Sequence, residues 1–248
     1  MKILITGING FVGTNLAKNF IEDNHQIIGM YRSNVDKTKL SSFKKKQIKY
    51  IHYLDLHKVK EIDVVIHAAS DIDFSDEATF NKNLIYLFKL INFIKKINCK
   101  KFIFLSSGEV SKLFQNYQNL DENLEYLSNS KFINAFTNKY QMLKFFSEKI
   151  LLDLSNNTHF KINIIRINSL IGNNLPKNYI FHKIFISIFK NKPLTIKNPD
   201  IFRTYAHTDD LYELINLCIS KKMKKIIFLG GYTTSIKELV KIIMKQNF

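Results

Sequence analysis

The sequence predicts an α/β fold, a doubly wound parallel sheet whose strands are joined by helices, followed by a smaller region. Short apolar runs of strand length alternate with longer runs whose apolar residues recur at helical spacing, from the first residues to Ile167. Parallel strands joined by right-handed crossovers account for this alternating part. After Gly172 the alternation stops, and the irregular remainder is expected to cover the carboxyl edge of the sheet.

Each predicted element rests on its own run of residues. Strands are predicted at residues 2–5, 26–31, 48–53, 63–70, 101–107 and 161–167. Helices are predicted from Phe11 onward and over residues 80–96 and 134–154, where apolar residues recur at helical spacing. The fourth strand is β-branched and apolar, which is typical of a strand covered by helices on both faces.

Composition places the chain among globular proteins with one large domain, or one domain and a small appendage. At 248 residues it can bury a full core, and it has no run of roughly eighteen apolar residues. The chain enters a strand directly at its amino terminus, so we expect a cytoplasmic protein without membrane association. Cys99 and Cys218 lack neighbours at metal-ligand spacing, so reduced thiols and no metal site are expected.

The chain is strongly basic, with 37 Lys and Arg against 21 Asp and Glu and a formal net charge of +16. Such a charge suits either a nucleic-acid surface or a lysine-rich composition. The lysines are spread over the whole chain among many Asn and Ile residues, which favours the second interpretation. Nucleic-acid binding is therefore not expected, whereas a positive field would favour anionic nucleotide substrates.

A glycine turn, Gly7-x-x-Gly10-x-x-Gly13, follows the first strand. Free N–H groups at the start of the next helix, together with the helix dipole, form a site for the diphosphate of a dinucleotide, and glycines allow its close approach. The spacing is one residue longer than the general G-x-G-x-x-G fingerprint, so a turn that binds no cofactor is the alternative. The expected cofactor contacts in this stretch are Thr6, Gly7, Asn9, Gly10, Phe11, Val12 and Gly13.

The second strand ends in Tyr31-Arg32-Ser33, at the place where dinucleotide-binding enzymes contact the adenosine ribose. An acid there favours NAD, whereas a guanidinium suits the 2′-phosphate of NADP. Arg32 and Ser33 therefore predict NADP in preference to NAD, although an exposed arginine at a strand end is also common. Further cofactor contacts are expected at Asp55, Leu56, Ala68 and Ala69, which lie after the third strand and in the end of the fourth.

Tyr140 and Lys144 lie four residues apart on a predicted helix and so share one face. A close ammonium lowers the pKa of a tyrosine from about 10 towards neutrality, as proton transfer to or from a substrate oxygen requires. The fifth strand ends in two hydroxyls, Ser106 and Ser107, at the carboxyl edge where α/β sheets bind ligands. In a chain rich in Tyr and Lys, the Tyr140–Lys144 spacing alone also arises by chance.

These motifs occur in one order along the chain. They are Thr6-Gly7-x-x-Gly10-x-x-Gly13, Asn83, Ser106-Ser107-Gly108-Glu109-Val110, Tyr140-x-x-x-Lys144-x-x-x-Glu148, Arg166, Gly172 and Arg203-Thr204-Tyr205-Ala206-His207-Thr208-Asp209-Asp210. In this order they resemble the extended short-chain dehydrogenase/reductases, the NAD(P)-dependent epimerase/dehydratase family that acts on nucleotide sugars. The resemblance covers nearly the whole chain.

The resemblance implies a Rossmann-like doubly wound parallel sheet with a small, partly interleaved C-terminal substrate-binding region. The NAD(P)-binding domain is expected at residues 1–168, with 204–229 returning to it. The substrate-binding region is expected at residues 169–203 and 230–248.

The resemblance also implies roles for four of the matched residues. Ser107 would hydrogen-bond the reacting carbonyl or hydroxyl, and Tyr140 would transfer its proton. Lys144 would hold the nicotinamide ribose and lower the pKa of the tyrosine. Arg203 would bind the diphosphate of the nucleotide sugar, which the planar fork of a guanidinium suits.

The chain departs from the family pattern near the expected substrate. Ser169 stands where an asparagine often touches the sugar, and both Asn168 and Ser169 are expected to contact the substrate. Dehydratase members carry an acidic pair after the catalytic hydroxyl residue, but Gly108 occupies one of these positions and only Glu109 remains as a candidate acid. A dehydratase is therefore disfavoured.

Hydride exchange between a nicotinamide and a sugar carbon underlies both leading predictions. Arg32 favours NADPH-dependent reduction of a keto-sugar nucleotide with Tyr140 as proton donor, and an NDP-sugar C4-epimerase with tightly bound NAD(P) is the alternative. A non-catalytic nucleotide- or RNA-binding regulator on the same fold is the alternative of another class. In the family, the helices equivalent to 80–96 and 134–154 pair across a twofold axis, so a homodimer through them is predicted.

Overall fold

The computed structural model describes residues 1–33, 47–76, 78–114 and 138–245. Its strands are β1 (Lys2–Thr6), β2 (Gln26–Tyr31), β3 (Ile48–His52), β4 (Val64–His67), β5 (Lys101–Ser107), β6 (Lys161–Ile167), β7 (Ser169–Ile171), β8 (Phe202–His207), β9 (Ile226–Phe228) and β10 (Tyr232–Ser235). Its helices are α1 (Phe11–Glu22), α2 (Ala78–Ile94), α3 (Lys139–Leu154), α4 (Ile180–Phe189), α5 (Thr208–Ser220) and α6 (Ile236–Lys245). In these residues, no helix has both the length and the apolar composition to cross a membrane.

The main sheet has seven parallel strands in the order β3-β2-β1-β4-β5-β6-β9. Strand β1 lies between β2 and β4, so the order along the chain reverses there. Thr6, the last residue of β1, is in register with Met30 on one side and His67 on the other. The carboxyl ends of the strands therefore meet at one edge, with a crevice at the reversal point. This topology confirms the predicted α/β fold.

Two apolar clusters cover the two faces of the main sheet, because neighbouring strand residues point to opposite sides. Ile3 and Ile5 of β1 pack with α1 and α5, whereas Leu4 packs on the opposite face with α2 and α3. All three side chains are fully buried. Both faces are thus covered by helices, as the β-branched strands predict.

A second, three-stranded sheet has the order β10-β8-β7. It packs with α4 and α6 through Ile184, Tyr205 and Leu239. Strand β9 returns to the main sheet beside β6, and α5 packs against α1. Residues 204–207 lie in β8 of the second sheet, so the chain returns to the main sheet with α5. The division into a cofactor domain and a substrate region stays a prediction.

Several element ends differ from the prediction. Strand β4 ends at His67, because the N–H of Ala69 donates to the side chain of Thr6 (3.0 Å) instead of continuing the ladder. Helix α2 lies two residues earlier than predicted, at 78–94. Helix α3 begins at Lys139, where the side chain of Asn138 accepts the N–H of Gln141. The predicted helical residues 134–137 lie outside the described residues.

Candidate active site

A cavity of about 670 Å³ opens at the carboxyl edge of the main sheet, at the reversal point between β1 and β4. The glycine turn after β1, the end of β2, the segment after β4 and one face of α2 surround it. The lining residues are Gly7, Ile8, Asn9, Gly10, Met30, Tyr31, Arg32, Ser33, Tyr53, Ala68, Ala69, Ser70, Asp71, Lys82, Asn83, Ile85, Tyr86 and Lys89.

The glycine turn is packed so tightly that no side chain fits at Gly7 or Gly13. Gly7 has a φ of +71°, and a Cβ there would lie 2.9 Å from the Cα of Ala69. A Cβ on Gly13 would lie 2.3 Å from the carbonyl oxygen of Gly7. Gly10 precedes the first residue of α1 without a side-chain cap, so the helix start faces the cavity with backbone N–H groups. These residues fit a dinucleotide whose diphosphate binds at the turn.

Seven of the predicted cofactor contacts come together around this cavity. Gly7, Asn9, Gly10, Arg32, Ser33, Ala68 and Ala69 line it. Gly13 packs against the backbone of Gly7 and Ile8, and Thr6 is fully buried under the turn. Phe11 and Val12 lie in the first turn of α1 and pack against the core.

Asp55 and Leu56 are not among the residues that line the cavity. They lie in a 3-10 turn at Tyr53–Lys58, where the carboxylate of Asp55 pairs with Lys58 at 2.6 Å and Leu56 is buried in the core. Tyr53, at the start of the same turn, lines the cavity instead.

The sequence prediction also lacked the contribution of α2 to the cavity. Lys82, Ile85, Tyr86 and Lys89 line it from this helix. Their separations of three and four residues place them on one helical face. That spacing is visible in the sequence, so a search for a polar and aromatic face on the predicted helix could have found them.

A buried polar network lies beneath the turn. The Oγ1 atom of Thr6 accepts the N–H of Ala69 and is 2.8 Å from Nδ1 of His67. The rings of Phe102 and Phe104 stack against the imidazole. Burial, assisted by the charge of Lys144, lowers the pKa of His67 from 6.5 to about 3. His67 is therefore neutral at physiological pH and serves as a hydrogen-bonding partner of the turn.

Ser107, Tyr140 and Lys144 meet where α3 crosses the end of β5. The hydroxyl of Tyr140 hydrogen-bonds to the side chain of Ser107. The ammonium of Lys144 lies 5.7 Å from the centre of the Tyr140 ring and donates to the carbonyl of Leu105 at 2.9 Å. The structure thus brings the three predicted groups together.

The pKa values in this group differ from the sequence prediction. Burial raises the pKa of Tyr140 to about 12, against a smaller lowering by the hydrogen bond from Ser107. Burial lowers the pKa of Lys144 to about 8, and the carboxylate of Glu148 opposes that shift. The expected lowering of the Tyr140 pKa by Lys144 is not found, because the desolvation of the phenol dominates and the ammonium is directed at Leu105.

A buried ion pair fixes α3 against β6. The guanidinium of Arg166 and the carboxylate of Glu148 are 2.8 Å apart, and both side chains are fully buried. Ser106 donates a hydrogen bond to the same carboxylate. Glu148 lies on the same helix as Tyr140 and Lys144 and bonds that helix to β5 and β6. This contact is a structural reason for the regular spacing of the three residues.

The predicted substrate contacts lie outside the cavity, around the link to the second sheet. Asn168 donates to the carbonyl of Leu229 at 3.3 Å, and a Cβ on Gly108 would lie 2.1 Å from Oδ1 of Asn168. Ser169 begins β7, and Arg203 is exposed on β8. Near Tyr140, the carbonyl of Glu109 accepts a hydrogen bond from Gln141 at 2.7 Å.

Comparison with curated proteins gives relatives of several activities. The chain is 30% identical to the dTDP-D-glucose 4,6-dehydratase of Dictyostelium discoideum, over 89% of the chain and 56% of that protein. It is 25% identical to a putative UDP-glucose 4-epimerase of Methanocaldococcus jannaschii, over 98% of the chain and 82% of that protein. The chain spans about half the length of the first two curated relatives, 56% and 46%.

Solved structures of low sequence identity share the fold. The UDP-glucuronic acid 4-epimerase from Bacillus cereus, in complex with UDP-glucuronic acid and NAD, superimposes with a TM-score of 0.79 at 22% identity, covering 99% of this chain and 82% of the other. The UDP-N-acetylglucosamine 4-epimerase from Methanobrevibacter ruminantium M1 gives a TM-score of 0.81 at 19% identity, covering 98% and 81%.

The family relationship rests on the sequence as well as on the fold. The model of the NAD dependent epimerase/dehydratase family matches residues 3–230. That range includes the glycine turn, Ser107, Tyr140 and Lys144, which the structure brings to one edge of the sheet. The chain therefore belongs to the NAD dependent epimerase/dehydratase family.

Proposed function

We propose that the chain is an NAD-dependent 4-epimerase of a nucleotide sugar. The observation that carries this proposal is the meeting of Ser107, Tyr140 and Lys144 at the sheet edge that holds the cavity. Lys144 lines a small neighbouring pocket together with Ala69, Ser70 and Asn83, which also line the cavity. The reaction class is supported by relatives that are described as UDP-sugar 4-epimerases, one curated and several solved as structures. Their substrates make a UDP-sugar the first choice.

Each group of the site has a part in this chemistry. The N–H groups of the glycine turn would hold the diphosphate of NAD, and a bound nicotinamide would supply hydride acceptance and donation. Ser107 would hydrogen-bond the reacting sugar oxygen and align it with the Tyr140 hydroxyl. Tyr140 would take the proton of that oxygen and later return it. Lys144 would supply the positive charge that stabilises the phenolate.

The buried environment of Tyr140 limits how this proton transfer proceeds. A phenol whose pKa is about 12 is protonated at neutral pH, so it is ready to donate a proton but a weak acceptor. To act as the base, Tyr140 needs stabilisation of its phenolate by the ammonium of Lys144, which donates to the carbonyl of Leu105 at 2.9 Å instead. A turn of the ammonium away from the Leu105 carbonyl would provide it.

The protonated Tyr140 also supports a second candidate, reduction of a keto-sugar nucleotide, in which tyrosine only donates its proton. Dehydration receives less support. Gly108 has no side chain at the position of one acid, and Asn168 fills the space beside it. Only Glu109 would then serve as an acid.

The experiment that separates the candidates uses the purified chain with UDP-glucose, UDP-N-acetylglucosamine or UDP-glucuronic acid. Epimerisation predicts that the 4-epimer forms, measured by chromatography, without net consumption of a nicotinamide cofactor. Stoichiometric NADPH oxidation with UDP-4-keto sugars, and no epimer from any of the three substrates, would contradict the epimerase and support the reductase.

We also propose that two copies of the chain pair through α2 and α3. These helices pack side by side on the main sheet, and Phe88 of α2 is 43% exposed. Met142, Phe145 and Phe146 of α3 remain only partly buried. Such incompletely covered apolar side chains on neighbouring helices suit an isologous contact.

The free, buried thiols Cys99 and Cys218 suit the reducing cytoplasm, which we propose as the location.

A further inference from the structure

Arg32, the residue that predicts NADP in the sequence, has an acidic partner across the cavity. Its guanidinium lies 2.8 Å from the carboxylate of Asp71, which follows β4. Both residues line the cavity; the Asp71 side chain is 25% exposed and the Arg32 side chain 56%. The two residues come from opposite sides of the reversal point, so the pair spans the rim of the cavity.

The backbone on both sides of this ion pair is held in place. Asn83 of α2 accepts the N–H of Asp71 at 2.9 Å and donates to its carbonyl at 3.0 Å. The second carboxylate oxygen of Asp71 accepts the N–H of Asp73 at 3.3 Å. On the other side, the carbonyl of Arg32 is 2.7 Å from Nε2 of His52. The backbone that carries each member of the pair is therefore fixed at the rim, and the Asp71 carboxylate is held by a second hydrogen bond.

We propose that Asp71 is the counter-ion that prevents Arg32 from binding a 2′-phosphate, so that the chain selects NAD over NADP. This inference rests on the proposed function, since it concerns the dinucleotide of the same site. A 2′-phosphate would have to displace Asp71 from the guanidinium and would then lie beside a free carboxylate. Like charges at that distance repel, and the partly buried carboxylate is only partly screened by solvent.

A neutral 2′-hydroxyl meets no such repulsion and leaves the ion pair intact. In NAD-binding proteins an acid at the end of β2 disfavours a 2′-phosphate. Asp71 has the same effect here, although it follows β4. The same pair explains why an arginine at the end of β2 is compatible with a family that uses NAD.

The test measures binding of NAD⁺ and NADP⁺ by isothermal titration calorimetry, without any turnover. In Asp71→Asn the amide still accepts the N–H of Asp73, but Arg32 loses its counter-charge. We expect NADP⁺ to bind about tenfold more tightly than to the original chain, as one charge-assisted hydrogen bond provides. The affinity for NAD⁺ should change much less.

Two further variants act as controls. Asp73→Asn removes the same charge from the same segment, where the carboxylate bonds to Ser75, and should leave the preference unchanged. Adding Arg32→Ala to Asp71→Asn should cancel the gain for NADP⁺. If the ratio of the NAD⁺ and NADP⁺ affinities is the same in Asp71→Asn as in the original chain, this inference alone is overturned. Failure of the original chain to bind either dinucleotide would overturn the proposed function together with it.

Discussion

At the scale of single residues, Gly13 provides a sharp test of the dinucleotide site. A Cβ there would lie 2.3 Å from the carbonyl oxygen of Gly7, and backbone atoms cannot move aside as a flexible side chain can. We predict that Gly13→Ala weakens NAD⁺ binding by about tenfold or more, measured by calorimetry. Gly230→Ala is the matched control, because a Cβ there meets no atom within 4 Å. Equal affinities for both variants would contradict the role of the turn.

His67 gives a prediction about pH. Its pKa is about 3 in the folded chain against 6.5 for an unperturbed histidine, so between these values the unfolded chain binds the extra proton. The free energy of unfolding should therefore fall as the pH drops below about 6.5. In His67→Asn, whose amide can still bond to Thr6, the fall should be smaller. Urea unfolding at pH 7 and pH 5 measures both, and an equal fall in the two proteins would contradict the assignment.

The sequence predicts the reactive residues better than their electrostatics. Ser107, Tyr140 and Lys144 follow from motif spacing, and the structure brings them together. The direction of the Tyr140 pKa shift cannot be read from motif spacing, because it is set by desolvation, and the spacing does not show how deeply the side chain is buried. Asp71 was not predicted either, since its partnership with Arg32 depends on the path of the chain after β4.

At the scale of elements, α2 and α3 carry the prediction about assembly. Phe88→Glu would place a charge in the contact between two copies, and burying an unpaired carboxylate there is costly. We expect the original chain to be a dimer and the variant to be a monomer in light scattering at micromolar concentration.

Phe202→Glu is the matched control for this experiment, because Phe202 is also exposed but lies on β8 of the second sheet. It should leave the dimer intact. A monomeric original chain, or a Phe88→Glu variant that still dimerises, would refute pairing through these helices.

Elements up to Ile167 were predictable from their apolar runs, whereas those after Gly172 were not. The expected irregular remainder instead contains the regular helices α4, α5 and α6. Strands β1, β2, β5 and β6 lie at or within one residue of the predicted positions, because each has a mostly apolar run that is buried in the main sheet. Strands β7, β9 and β10 have three or four residues each. Their extended conformation is defined by the neighbouring strand, and the largely polar run Tyr232–Ser235 carries no period of its own.

At the scale of the whole molecule, the strand order explains the site. The reversal at β1 brings the glycine turn beside the end of β4, while β5 and α3 place Ser107 and Tyr140 at the same edge. The sequence predicted the parallel sheet but not this order, because alternation of strands and helices does not specify which strands are neighbours. The pairing of Arg32 with Asp71 is likewise absent from the prediction, because it depends on which strand ends lie near each other at the reversal point.

The role proposed for Tyr140 is proton transfer in nucleotide-sugar epimerisation. Its most direct test compares the original chain with Tyr140→Phe, using the UDP-sugar that the original chain epimerises, and Tyr232→Phe on exposed β10 as the control. We predict that Tyr140→Phe loses about a hundredfold or more in epimerisation rate while NAD⁺ binding is retained, and that the control keeps its activity. An epimerisation rate of Tyr140→Phe equal to that of the original chain would contradict this role.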